Sequence, residues 1–109
     1  MFKIEDYNIY HTRGDTGGFS ITFTLNGETP DYEAVFTVKK SLADKKHILQ
    51  KPVVSGHVDL LHEDTQNIPY GNYYYDIQIH VLDGTDRYFT AGPHRYYLKP
   101  DVTTEVSDG

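Results

Sequence analysis

The clearest alternation of apolar and polar positions lies between residues 70 and 84. One set of alternate positions is mostly apolar and comprises Tyr73, Tyr75, Ile77, Ile79 and Val81. The other set is more polar and comprises Tyr74, Asp76, Gln78 and His80. A period of two with apolar residues on one face is typical of a half-buried antiparallel strand. Asp83-Gly84 follows this run and predicts a hairpin turn.

Similar alternation predicts further strands along the chain. One would place Phe19, Ile21, Phe23 and Leu25 inward, and the next would place Ala34, Phe36 and Val38 inward. Shorter strands are expected around Ile48 and Leu49 and at residues 56–61. A last strand spans residues 87–99, with a bulge or bend expected at Gly92-Pro93 because proline lacks an amide donor. Residues 62–67 are predicted to form one helical turn or a 3₁₀ turn that crosses between sheets.

These elements predict a single all-β domain. Seven or eight short strands, separated by turn signals and without a helical period, favour an antiparallel immunoglobulin-like β-sandwich over residues 1–99. Residues 1–12 have no clean period and are expected to form a peripheral strand. Residues 100–109 carry unbalanced acidic side chains and are predicted to be an acidic tail.

The segment just before the long strand contains a second pattern that indicates structure. Pro69 and Gly71 precede Tyr73, the first inward residue of that strand. This arrangement resembles the tyrosine corner of immunoglobulin-like sandwiches, in which a hydroxyl bonds back to upstream backbone. Tyr73 and Gly71 are therefore predicted to be structural residues.

Composition narrows the possible functions. The chain of 109 residues contains no Cys, which excludes disulfides, thiolate metal sites and thiol catalysis. Neither a signal peptide nor an apolar run of roughly 18 residues is visible, so a soluble protein made in the cytoplasm is expected. The formal net charge of −6 argues against nucleic-acid binding.

Basic residues are concentrated in one part of this acidic chain. The group lies between positions 39 and 51 and comprises Lys39, Lys40, Lys45, Lys46 and Lys51. Lysines at a solvated hairpin end would discourage edge-to-edge pairing of strands. The alternative is a docking surface for an acidic partner.

Motifs that could carry chemistry are weak. Arg13-Gly14-Asp15 is the tripeptide that integrins bind, but its glycine-rich context is typical of an ordinary turn. Asp76 is a candidate acid for glycoside chemistry only in principle. No nucleophile–base order and no phosphate-binding loop is present, so no catalytic residue, no cofactor and no enzymatic activity are predicted.

The histidines raise the question of a metal site. The densest group of possible ligands comprises His57, Asp59, His62, Glu63 and Asp64. His57 and Asp59 would share one strand face, but a usable site also needs a third ligand and supporting contacts. The sequence indicates neither, so we expect no metal site.

Tyrosine is the residue in excess, with ten copies and no Trp. Tyr74 and Tyr97 are expected to lie outward, and with Gln78 and His80 they form the candidate interface. Lys39, Lys40, Lys45 and Lys46 are included in this candidate interface as the source of charge complementarity to an acidic partner. Exposed Tyr is enriched at protein interfaces, but it also stacks on sugars. A carbohydrate-binding module therefore competes with a protein-binding module, and the rings could also simply cover a small sandwich.

Several of these segments together resemble a known family. They are residues 13–16, 19–25, 34–40, 64–65, 68–78 and 101–103. Their order and spacing are similar to the small immunoglobulin-like domain of tailed-phage structural proteins, such as the N-terminal domain of the baseplate upper protein. The resemblance implies a non-enzymatic virion component that attaches an appendage to the tail or head. Its expected partners are other virion proteins or further copies of itself, and a glycan is a less favoured partner.

Overall fold

The structure is a computed structural model that describes residues 1–100. It contains eight strands and one helical turn: β1 (Phe2–Glu5), β2 (Asn8–Thr12), β3 (Gly17–Ser20), β4 (Tyr32–Lys39), β5 (Leu49–Pro52), β6 (His57–Leu60), α1 (His62–Thr65), β7 (Gly71–Val81) and β8 (Tyr88–Lys99). The all-β class predicted from the alternation is confirmed. The acidic tail lies outside the described residues, apart from Pro100.

The strands form two sheets. The larger has six strands in the order β1-β2-β8-β7-β4-β5, and the smaller pairs β3 with β6. The prediction of a purely antiparallel arrangement is wrong, because β2 runs parallel to β8 with Ile9 opposite Tyr96. Alternation reports which face of a strand is buried, but it does not report which strand lies alongside or in which direction.

The N-terminal segment differs from the single peripheral strand that was expected. β1 and β2 form a hairpin whose turn residues Asp6 and Tyr7 both have positive φ, 53° and 67°. Two central residues in this conformation match the twist of a two-residue hairpin. β1 is the sheet edge, but β2 is internal, with Ile9 and His11 fully buried. The buried polar side chain of His11 interrupts the apolar pattern that would have indicated an internal strand.

The core lies between the two sheets. The alternation predicted for β7 is confirmed, since its five inward residues, from Tyr73 to Val81, are all buried. From the smaller sheet, Val58 and Leu60 pack into the same cluster. Burial of such side chains is the main stabilising contribution in a domain of this size.

The strand predicted at residues 19–25 is only partly formed. Phe19, Ile21 and Phe23 do pack against the core as expected. Hydrogen-bonded pairing ends at Ser20, however, because β6 begins at His57 and offers no further partner. A single bond from the Ile21 amide to the Gly56 carbonyl, at 2.8 Å, follows before the chain leaves the sheet.

Two local predictions in the second half of the chain are confirmed. α1 is a short helical turn that connects the small sheet to the large one. The register between β7 and β8 shifts at Asp76, which lies opposite Gly92 and Pro93. This bulge places the proline, which has no amide hydrogen, where regular pairing is already interrupted.

Candidate interaction surface

The face of the six-stranded sheet that points away from the smaller sheet carries the predicted interface residues. We call it the outer face. The pairing register sets Tyr10 beside Tyr97, and Tyr74 beside Arg95. Tyr74 and Tyr97 therefore lie close together, as the alternation implied, and Arg95 lies between them.

Arg95 organises the aromatic part of this surface. Its Nη1 donates a hydrogen bond to the Tyr74 hydroxyl at 2.6 Å, and its Cζ lies 4.5 Å from the Tyr74 ring centroid and 5.6 Å from that of Tyr97. Tyr97 stacks on Tyr10 with centroids 5.0 Å apart and an interplanar angle of 22°. Cation–π contact and stacking of this kind fix the rings in place.

Sequence reasoning missed Tyr10 and Arg95. Arg95 follows the Gly92-Pro93 bulge, so its facing could not be read through the break in register. Tyr10 joins the group only because β2 lies parallel to β8. Its alternation with Ile9 and His11 was the available signal, and the polar His11 obscured it.

Positive charge is concentrated around these rings. Lys39 is the register partner of Tyr74, and the Lys99 ammonium lies 5.4 Å from the Tyr97 ring. Within residues 1–100, neither Lys39 nor Arg95 forms an ion pair. Lys3 also lies here, but its ammonium is 3.6 Å from Glu5. We call Lys39, Arg95 and Lys99 the basic end of the outer face.

The predicted interface residue His80 lies at the opposite end of the same face. Its Nδ1 is 3.0 Å from a Glu33 oxygen, and its Nε2 is 3.0 Å from an Asp86 oxygen. The hydrogen bond with Glu33, supported by Asp86, raises the pKa of His80 and favours the imidazolium. Tyr88 stacks on the imidazole at 4.3 Å. We call Glu33 and Asp86, with His80 between them, the acidic end.

Gln78 lies between the two ends. It is exposed and helps to line a shallow groove of about 390 Å³. The groove is also lined by Val35, Pro52 and Tyr88. Of the predicted interface residues, Tyr74, Gln78, His80 and Tyr97 therefore share one face, which has ends of opposite charge.

The lysines between positions 39 and 51 do not form one patch. Lys39 belongs to the outer face, whereas Lys45 and Lys46 are exposed in the loop between β4 and β5. Lys40 lies 5.2 Å from the Tyr73 ring. Lys51 pairs with Asp64 of α1 at 2.9 Å, and both side chains are largely buried.

Tyr73 makes the hydrogen bond that the sequence suggested. Its hydroxyl donates to the Pro69 carbonyl at 2.6 Å, and burial raises its pKa. Gly71 was predicted to be a structural residue, but its surroundings leave room for a side chain. An added Cβ there would lie 3.6 Å from the Tyr73 ring, an ordinary contact, so no close approach requires glycine.

The remaining candidates are occupied by structural contacts. Arg13 lies over the Tyr70 ring at 4.0 Å, and Asp15 binds the N-terminal ammonium, so both charged side chains of the integrin-type tripeptide are engaged within the chain. His57 contacts Asp59 at 2.9 Å. In the part of the chain that the structure describes, no three His, Cys, Asp or Glu side chains are grouped so that they could hold a metal ion.

Hydrogen bonds of the buried His11 side chain support the turn that contains Asp15. The Nε2 of His11 lies 2.8 Å from the Asp15 carbonyl and must donate to it, so Nδ1 accepts from the Tyr96 hydroxyl at 2.5 Å. This assigns the neutral Nε2–H tautomer. Burial, reinforced by the nearby N-terminal charge, lowers the pKa of His11 to about 4.

Comparisons of the chain with protein-family models, curated proteins and solved structures found no match. Among residues 1–100, no helix is long and apolar enough to cross a membrane.

Proposed function

We propose that the protein is a non-enzymatic structural module that binds another protein through the outer face. The module is an immunoglobulin-like sandwich, and its setting is a phage or prophage virion, where it attaches an appendage of the baseplate, tail or head. The observation that most directly supports this proposal is a cluster held in place by stacking and hydrogen bonding, which consists of Tyr10, Tyr74, Arg95 and Tyr97. Tyr and Arg are among the side chains that are enriched at the centres of protein interfaces.

Two structural features support the sandwich assignment. The two sheets pack face to face over one apolar core. The Tyr73 hydroxyl bonds to backbone four residues upstream, as in a tyrosine corner. The virion assignment is supported by the sequence resemblance over residues 13–103.

The same cluster is poorly suited to sugars. A sugar stacks on an open aromatic face, and here these faces have other partners. Tyr74 has the Arg95 guanidinium, and Tyr97 is stacked on Tyr10. Preordered aromatic and guanidinium groups can instead receive the side chains of a protein at low entropic cost.

Site-specific photo-crosslinking in particles tests this function. A benzophenone amino acid replaces the exposed Gln78 on the outer face, and a matched control carries it at the exposed Glu63 of α1. Mass spectrometry should detect the protein in purified particles. It should also show crosslinks from position 78 either to another virion protein or to a second copy of this chain. Absence of the protein from particles would refute the virion assignment. Equal crosslinking from positions 78 and 63 would refute the binding face.

A further inference from the structure

We infer that the outer face binds a second copy of this chain in an antiparallel, two-fold arrangement. The inference rests on the proposed function, since it names the partner of the same surface. It starts from the separation of charge along β4 and β7, where the basic and acidic ends lie at opposite ends of one face.

The register of these two strands places the charges symmetrically. Lys39 is opposite Tyr74, and Glu33 is opposite His80. The midpoint of both pairs is the register pair Phe36 and Ile77. Glu33 and Lys39 are six positions apart along the strand, which is about 20 Å at roughly 3.3 Å per residue. This exceeds a Debye length of about 8 Å at physiological ionic strength, so the two ends act as separate charges.

A two-fold axis that lies in the interface, parallel to the sheet plane and perpendicular to β4 and β7, and passes over Phe36 and Ile77 would bring two outer faces together and exchange the two ends. The Lys39 end of one copy then faces the Glu33 end of the other, and the contact occurs twice. A parallel overlay would instead place Lys39 opposite Lys39 and Glu33 opposite Glu33, which is repulsive. Charge complementarity of this kind selects orientation and accelerates association.

The available area is sufficient for such a dimer. β7 has eleven residues and the sheet has six strands. With strands about 4.8 Å apart and shorter than β7 on average, the outer face covers roughly 600–800 Å². Stable interfaces typically bury about 600–1,000 Å² on each partner, so the outer face falls within this range. An acidic partner unrelated to this chain would be matched by the basic end alone and would leave Glu33 and Asp86 facing a like charge.

Sedimentation equilibrium with charge-reversed variants tests the arrangement. The wild type should show a concentration-dependent dimer that weakens as salt is raised. Lys39→Glu alone and Glu33→Lys alone should each weaken dimerisation by about tenfold or more, because each variant puts like charges at both symmetric contacts. A mixture of the two variants should dimerise again, because both contacts between unlike copies are then attractive. Glu63→Lys is the matched control and should dimerise like the wild type.

Each alternative outcome overturns the inference. A strictly monomeric wild type would refute it. It would leave the proposed function intact if position 78 still crosslinked to a different virion protein. A dimer that is insensitive to both variants would place the interface elsewhere. Weakening by the single variants without recovery in the mixture would refute the antiparallel two-fold geometry. Far-UV circular dichroism checks that each variant is folded.

Discussion

Replacing Tyr73 with Phe removes one hydroxyl from a buried, hydrogen-bonded side chain. The side chain is 2% exposed, and its hydroxyl donates to the Pro69 carbonyl at 2.6 Å. A neutral hydrogen bond contributes about 1 kcal/mol net, and an acceptor left buried without a partner raises the cost to about 3 kcal/mol. Pro69 is exposed, so water can reach its carbonyl in the variant. We therefore expect a loss of about 1 kcal/mol, or about 4–8 °C in the melting temperature.

Urea unfolding followed by circular dichroism measures this loss, with Tyr97→Phe as the control. The Tyr97 ring is held by stacking, and its hydroxyl has no hydrogen-bond partner among the described residues. Its removal should change stability by no more than about 0.5 kcal/mol. Tyr74 is not a clean control because its hydroxyl accepts from Arg95. Equal losses for Tyr73→Phe and Tyr97→Phe, at an unchanged m-value, would refute the role assigned to the Tyr73 bond.

Three further changes are expected to be measurable by the same unfolding assay. Gly92→Ala should cost about 1–3 kcal/mol and more than Gly84→Ala. Both glycines have a positive φ, 111° at Gly92 and 88° at Gly84. An added Cβ at Gly92 would also lie 3.0 Å from the Tyr75 carbonyl, whereas an added Cβ at Gly84 would have open space. Equal costs would show that backbone conformation alone decides. Asp64→Asn should cost about 1–2 kcal/mol, because Asp64 pairs with Lys51 at 2.9 Å and accepts from the Leu61 amide at 2.7 Å; a neutral result would contradict this. The pKa of His11 is lowered to about 4 from 6.5, so the unfolded chain binds its proton more strongly, and this group's contribution to stability should fall by up to about 3 kcal/mol as pH drops from 6.5 to 4. An NMR titration that gave His11 a pKa near 6.5 would refute this last expectation.

The local patterns in the sequence predicted the strands well because side-chain direction in a strand has a period of two. In β7 this rule fixed which residues face the core and which face outward, and it placed Tyr74, Gln78 and His80 on one face. The Gly92-Pro93 bulge and the Tyr73 bond were also predictable, since both depend on residues close in sequence. Gly71 illustrates the limit of such reasoning, because a glycine in a suggestive position is not sterically required there.

The sequence by itself determined the all-β class, the facing of the long strand and the turn chemistry around it. Only the tertiary structure decided that β2 lies parallel to β8, that Tyr10 and Arg95 complete the aromatic cluster, and that Lys39 and Glu33 mark opposite ends of one face. The physical reason is the sequence distance over which each effect acts. Propensity and alternation act over a few neighbouring residues, whereas strand order and charge placement depend on pairings between residues as distant in the chain as Tyr10 and Tyr97.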